Sequence, residues 1–175
     1  EVEICNALGS KVNKHKLGAF YYTIANIKPQ HRSHQNAIQL LALITAPLLK
    51  KYGPDAILDR LMSELQELEK DEGHEFSING EKQHYQGTVI YFSADNLGAQ
   101  FVGGFKEGAQ AHRKCRDCMD SEEEIANLFH EKHFELRTKE GYEEQCRLLQ
   151  GGEHFRYVYG INRNSLLNQS RYYHV

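Results

Sequence analysis

Val89-Ile90-Tyr91-Phe92-Ser93-Ala94-Asp95-Asn96 is the stretch on which the fold of this chain turns. A run of apolar, β-branched and aromatic residues ends in a carboxylate, the pattern of a strand buried in a sheet with an acid at its tip. Downstream come Gly103-Gly104-Phe105 and then Cys115-Arg116-Asp117-Cys118, two thiols at the spacing of a pair of ligands to one tetrahedral Zn²⁺. An acid at a strand end suits a divalent cation, and the thiol pair suits a staple in an insertion after it. The same Asp is also what a turn or a helix N-cap selects, so that plainer role stands beside the first.

Upstream, Asn79-Gly80 is a turn signal, and residues 75–78 and 86–94 are expected to form a hairpin around it. Before that, Pro54 and Asp55 open a segment in which Ile57, Leu58, Leu61, Leu65 and Leu68 recur at helical spacing until Gly73. The nearly continuous apolar run 37–44 is short enough to be a strand or a buried helix, and a central strand is the favoured assignment. Residues 19–27, rich in aromatic and β-branched side chains, predict a strand ended by Pro29 and paired antiparallel with a first strand over 2–6. A polar loop through Lys11, Lys14 and Lys16 links the two.

Past Asp95, glycines at 98, 103, 104 and 108 and the basic group His112-Arg113-Lys114 mark a small irregular subdomain. Ser121-Glu122-Glu123-Glu124 is a capping-box pattern, and Thr138 is placed to cap a helix carrying Tyr142, Cys146 and Leu149, closed by Gly151-Gly152. The expected organisation is a core over 1–100 and a Cys-containing, mostly helical insertion over 101–175.

Composition excludes several classes. The chain has 175 residues, 40% of them hydrophobic and 26% charged, with three Pro and no low-complexity tract, so a folded core is expected rather than disorder. No stretch reaches the roughly 20 apolar residues of a membrane span, and no secretory signal opens the chain, which predicts a soluble, unsecreted protein without a membrane partner. Four cysteines, Cys5, Cys115, Cys118 and Cys146, are too unevenly spaced for a disulfide framework and fit a reducing compartment, with Cys5 and Cys146 as buried thiols. The net charge of −3 argues against a strong non-specific grip on nucleic acid. Opening on Glu1 and closing on Tyr172-Tyr173-His174-Val175, the chain reads as part of a longer one.

Strand, strand, strand, helix, strand is the order of an α/β, ribonuclease H-like core. There the first and fourth strands are neighbours, so their acids can hold two divalent cations about 4 Å apart, the arrangement of two-metal phosphoryl transfer. Oxygen ligands suit Mg²⁺ or Mn²⁺.

The residues also carry a likeness. Glu3-Ile4-Cys5-Asn6-Ala7-Leu8-Gly9-Ser10, Tyr22-Thr23-Ile24-Ala25-Asn26-Ile27, Ala94-Asp95-Asn96-Leu97-Gly98-Ala99, Gly103-Gly104-Phe105 and Cys115-Arg116-Asp117-Cys118 occur in that order. The series resembles transposase-derived proteins of animal genomes related to the CACTA (En/Spm) superfamily of DDE transposases. The resemblance covers essentially the whole chain and implies a metal-dependent DNA transposase acting on transposon ends in the nucleus. It makes Asp95 the second acid, sets Glu1 and Glu3 at the first-acid strand just after the family's leading Asp, and implies an Asp-x-x-His motif and a third acid beyond Val175. This piece alone is then expected to be inactive. Ala7 stands where the family usually has Pro.

Plainer roles remain open. Glu1 and Glu3 alternate as the solvated face of a strand would. Cys115 and Cys118 are either two free thiols or half a zinc site; a redox pair lacks the strand-to-helix setting it needs. His130 and His133 would complete Zn²⁺ in a Cys-x2-Cys-x11-His-x2-His spacing, and His174 is the rival. The loop 11–16 and the group 112–116 are candidates for DNA phosphates or simply solvated charge. The acids Glu64, Glu67, Glu69, Asp71 and Glu72 read as a solvent face. A non-catalytic, zinc-stabilised module binding DNA or protein is the alternative function, and a homo-oligomer is left open.

Overall fold

The computed structural model describes residues 16–108 and 111–174 and, as backbone, the strand Val2–Glu3. Helix and strand are mixed, and both sheets are small and antiparallel. Two compact units divide the chain, Glu1–Arg60 and Leu61–Val175.

In the first unit β1 (Val2–Glu3), β2 (Lys16–Tyr22) and β3 (Gln39–Thr45) form a meander in the order β1-β2-β3. The expected antiparallel pairing of the first two strands holds, with Val2 opposite Leu17 and Glu3 opposite Lys16. β3 is a strand, as favoured for the run 37–44, but among the described residues it pairs with β2 alone, so β2 rather than β3 is central. Pro29 does not end a strand reaching to 27. β2 stops at Tyr22, and Pro29 opens the single turn α1 (Pro29–Arg32), where its fixed φ and missing N–H cost nothing. Arg32 then donates from Nε to the Ile27 carbonyl at 2.7 Å, closing the bend. Helix α2 (Ala46–Tyr52) follows β3 directly, and a Cβ on Gly18 of β2 would come within 2.7 Å of Leu49, so glycine lets the helix lie close to the strand. Residues 4–15, with Cys5 and the basic loop, lie outside the described residues, as does Glu1.

Helix α3 (Asp55–Leu68) has the predicted spacing, and Leu58 and Met62, one turn apart, are both 1% exposed. Beyond it, β4 (His74–Ile78) and β5 (Glu81–Tyr85) form a hairpin through Asn79-Gly80, both at positive φ as a type I′ turn requires. Here the structure corrects the sequence. The second strand is the polar segment 81–85, and residues 86–94 form no strand. A two-residue turn fixes the register, so the pairing strand has to begin at Glu81 whatever the apolar content further on. After Tyr85 the chain runs back to the end of α3 instead. Gly87 N–H donates to Leu68 O at 3.1 Å, and the Gln86 side-chain amide donates to the carbonyls of Lys70 and Asp71 at 3.0 and 2.8 Å. Ile90 and Tyr91 are left 65% and 63% exposed.

Glu69 is a second correction. It does not belong to a solvent face: it is 4% exposed, and its carboxylate accepts from Thr88 Oγ1 at 2.5 Å, Ser170 Oγ at 2.5 Å and Arg171 N at 2.8 Å. Burial alone would raise its pKa. The Arg171 N–H, the two hydroxyls and the Arg171 charge outweigh that and hold it below the usual glutamate value.

Residues 100 and 101, the boundary expected from sequence, lie inside α4 (Asn96–Gly103). The remaining helices are α5 (Glu122–Ile125), α6 (Lys139–Leu148) and α7 (Glu153–Tyr159). Ser121 and Glu124 form the predicted capping box, and Thr138 caps α6 by accepting from Gly141 N. Gly104 and Gly160 end α4 and α7 in left-handed conformation, with φ 79° and 67°. A Cβ would fall 2.3 Å from the Arg163 carbonyl oxygen at the first and 2.2 Å from the Arg113 carbonyl oxygen at the second. The first of these approaches lies beside an antiparallel bridge between Phe105 and Ile161, with Lys106 N–H on Gly160 O and Asn162 N–H on Gly104 O, both at 2.8 Å, and the second brings the Arg113 backbone against the end of α7. Phe105, Ile161 and Tyr142 of α6 form the core there, with Cys146, Leu149 and Tyr159 packed against them.

Candidate metal centre

Cys115 and Cys118 sit on a tight loop in which the Cys118 N–H donates to the Cys115 sulfur at 3.2 Å. Two strand-like contacts hold the loop in place. Cys118 bridges Leu136, and around that bridge Met119 N–H donates to Glu135 O at 2.7 Å while Arg137 N–H donates to Asp117 O at 2.9 Å. Asp120, 9% exposed, closes the far end by accepting from Glu135 N. Cys118 is buried and Cys115 half-buried. Burial, with Cys115 beside it, pushes the Cys118 thiol up to about 12, so at neutral pH it is a thiol and would ligate only by giving up its proton to a metal.

Arg137 completes the loop. Its Nε donates to the carbonyls of both cysteines, at 3.3 Å to Cys115 and 3.2 Å to Cys118. Its two terminal nitrogens reach Gln145 Oε1 at 3.2 Å and Tyr159 O at 2.8 Å, and its guanidinium lies 5.4 Å from the centre of the Phe105 ring. One side chain therefore ties the cysteine loop to α6, to the end of α7 and to the core. Sequence reasoning missed it: an arginine between Leu136 and Thr138 carries no spacing signal. Only the N-cap pattern at Thr138 marks the neighbourhood.

The candidate ligands are not all brought together. His130 and His133 are exposed, the first preceding and the second ending a single 3₁₀ turn, and meet edge to face at 5.6 Å, while His174 packs edge-on against Tyr142 at 5.4 Å. Among the described residues no three His, Cys, Asp or Glu side chains converge on a common point, so no histidine joins the thiols as a third ligand. Two thiols are half of the four-ligand shell of structural zinc, and as placed these residues fit Zn²⁺ only as a half-site.

Asp95 stands at the head of α4. Its Oδ1 accepts from Gly98 N at 2.7 Å, the N-cap geometry that sequence alone offers as the plainer role, and its side chain is exposed. Glu3 is placed by backbone only, opposite Lys16 in β1, and Glu1 lies outside the described residues. Part of the basic group is engaged within the protein. His112 stacks on Tyr157 at 5.2 Å and Lys114 pairs with Glu122 at 2.5 Å, while Arg116 stays exposed.

No family model, no curated protein and no solved structure matches the chain. Of the motif series read from the sequence, residues 4–10 lie outside the described residues and 22–27 lie in the first unit, while the remaining parts lie in the second unit. Residues 94–99 make the cap and first turn of α4, 103–105 lie at the bridge of Phe105 to Ile161, and 115–118 form the thiol loop. No helix of the described residues is long and apolar enough to cross a membrane.

Proposed function

We propose that this chain is part of the catalytic region of a DDE-type DNA transposase resembling the CACTA (En/Spm) group, with Asp95 as the second acid and Cys115 and Cys118 as half of a structural zinc staple. The observation that carries the proposal is the ordered motif series centred on Asp95, at the junction of the apolar run 89–94 and α4. The Asp95 cap uses one carboxylate oxygen and the side chain is exposed, so the other oxygen is available to a divalent cation. The ribonuclease H-like core is what the resemblance implies; among the described residues the run 89–94, expected as its fourth strand, forms no strand. Mg²⁺ or Mn²⁺ would activate the attacking oxygen and stabilise the leaving one. Asp95 would supply oxygen ligands to that cation, and the resemblance assigns the first acid to Glu1 or Glu3 or to the family's leading Asp ahead of them. The substrates would be transposon ends in the nucleus, and the 175-residue chain alone would be inactive.

The test uses the full transcript. An Asp ahead of Glu1 and a downstream Asp-x-x-His with a further acid are expected, and the complete protein should cleave transposon ends with Mn²⁺. Asp95→Asn should abolish cleavage, since Asn still caps a helix but ligates a cation poorly. Flanks without acids, or an Asp95→Asn protein that cleaves normally, would sink the proposal. A second reading, a non-catalytic zinc-stabilised module binding DNA or protein, is favoured by one observation: the thiol loop is the best-formed candidate site, and Asp95 already has a structural use. It predicts about one Zn²⁺ per chain, lost in Cys118→Ser, and no Mn²⁺-dependent nicking of plasmid DNA.

A further inference from the structure

Beside the thiol loop lies a cavity of about 450 Å³, and the charge on its walls is out of balance with its hydrogen bonding. Arg116, Arg137 and Lys139 line it, against Asp117 and Glu131, with Phe105 and Tyr142 at its apolar side. Arg137 is the informative member. Half-buried, it donates only to neutral acceptors, three carbonyls and the Gln145 amide, and among the described residues no carboxylate comes within ion-pair reach of it. A guanidinium withdrawn from water with only neutral partners is short of counter-charge. It is also held still, by four acceptors and the Phe105 ring, so a ligand meeting it would not have to immobilise a flexible arm.

The ten-residue helix α6 begins at the same wall, where Thr138 and Lys139 line the cavity. Thr138 takes the Gly141 N–H, and the first N–H groups of the helix, at Lys139 and Glu140, are those a helix cannot satisfy from within. Fixed guanidinium, helix N-terminus and two rim cations together suit a compact anion with several acceptor oxygens.

We propose that this cavity is a phosphate-binding site, in which Arg137 and the start of α6 receive the phosphate oxygens and Arg116 and Lys139 close over them from the rim. Asp117 and Glu131 are then an opposing pair that weakens the site. The proposal stands on the cavity and does not depend on the transposase reading.

Titration of the 175-residue chain with inorganic phosphate at low salt, followed by amide NMR shifts, tests it. Saturable shifts are expected at Leu136, Thr138 and Lys139. The double variant Arg116→Ala/Lys139→Ala, which spares the Arg137 contacts with the loop, should weaken binding about tenfold or more. Glu131→Gln should tighten it about threefold by removing a like charge, a gain that no folding defect would produce. Failure of phosphate to shift these amides, or equal affinity in all three proteins, overturns the proposal. Two further arms distinguish the source of the phosphate. Competition by a short single-stranded oligonucleotide at the same amides assigns a nucleic-acid backbone. Binding of phosphate and a nucleoside monophosphate, unaffected by the oligonucleotide, assigns a free small-molecule anion.

Discussion

In the first unit the sheet presents Tyr21, Tyr22, Leu40 and Leu43 to solvent, each at least half exposed, whereas in the second Phe105, Tyr142 and Ile161 are at most 3% exposed. The sheet is the more apolar sequence, and the bridge region is the better sealed. What separates them is backbone. Gly104 lets its segment approach the one at Arg163 and Gly160 lets its own approach the one at Arg113, within distances that no side chain would allow, and the core forms beside them at the Phe105–Ile161 bridge. Apolar content tells which residues would gain from burial. Close approach decides which of them obtain it.

The sharpest way to break this contrast is Gly160→Ala. Left-handed strain and a Cβ 2.2 Å from the Arg113 carbonyl oxygen should together cost about 3 kcal/mol or more in urea unfolding of the second unit. Ile161→Ala, which empties a fully buried site, should cost a similar 2–5 kcal/mol. A loss under about 1 kcal/mol for either would mean that the bridge does not hold the unit together.

Next in size is Glu69→Gln, expected to cost about 1–3 kcal/mol, because a charge-assisted acceptor of three donors is replaced by an amide that cannot accept all of them. The folded pKa is lowered, so this stabilisation is full above the unfolded value near 4.3 and is lost as pH falls through the folded value. The acid limb of the stability curve should shrink in the variant. An unchanged limb would show that other carboxylates dominate it.

Smaller again is Asp95→Ala, at about 1 kcal/mol from loss of the α4 cap, with Asp95→Asn nearly neutral. Hydrogen exchange of the first turn of α4 reads this directly, and equal exchange in all three proteins would deny the cap its structural role. The smallest effect belongs to the first unit: Leu43→Ala, at a side chain 55% exposed, should change stability by under about 0.5 kcal/mol. A loss several times larger would mean that this sheet face is covered in solution.

The sequence was legible where local chemistry settles the matter. The α3 spacing, the Asn79-Gly80 turn, the Ser121 capping box, the Thr138 cap and the antiparallel start of the first sheet all follow from rules acting over a few residues. It misled at 86–94, because strand-like composition does not choose a partner and a two-residue turn had already committed the chain to 81–85. Burial of Glu69 was illegible for another reason: two of its partners, Ser170 and Arg171, lie about a hundred positions away, beyond any window that periodicity can scan. For the thiol loop, the pair of sulfurs was readable from spacing. Its anchor, Arg137, was not, since a side chain that binds carbonyls leaves no pattern in residue types.

The Glu69 link also has a consequence in time. Ser170 follows Glu69 by 101 positions, so at the roughly 5–20 residues per second of protein synthesis the carboxylate waits about 5–20 s for its partner. Throughout that interval the end of α3 and the segment after β5 can be made but not locked, and a nascent chain halted before Ser170 keeps an acid in water that the finished fold has withdrawn. Locking of the end of α3 is thus governed by arrival of Ser170 and Arg171 rather than by the speed at which any helix or hairpin forms.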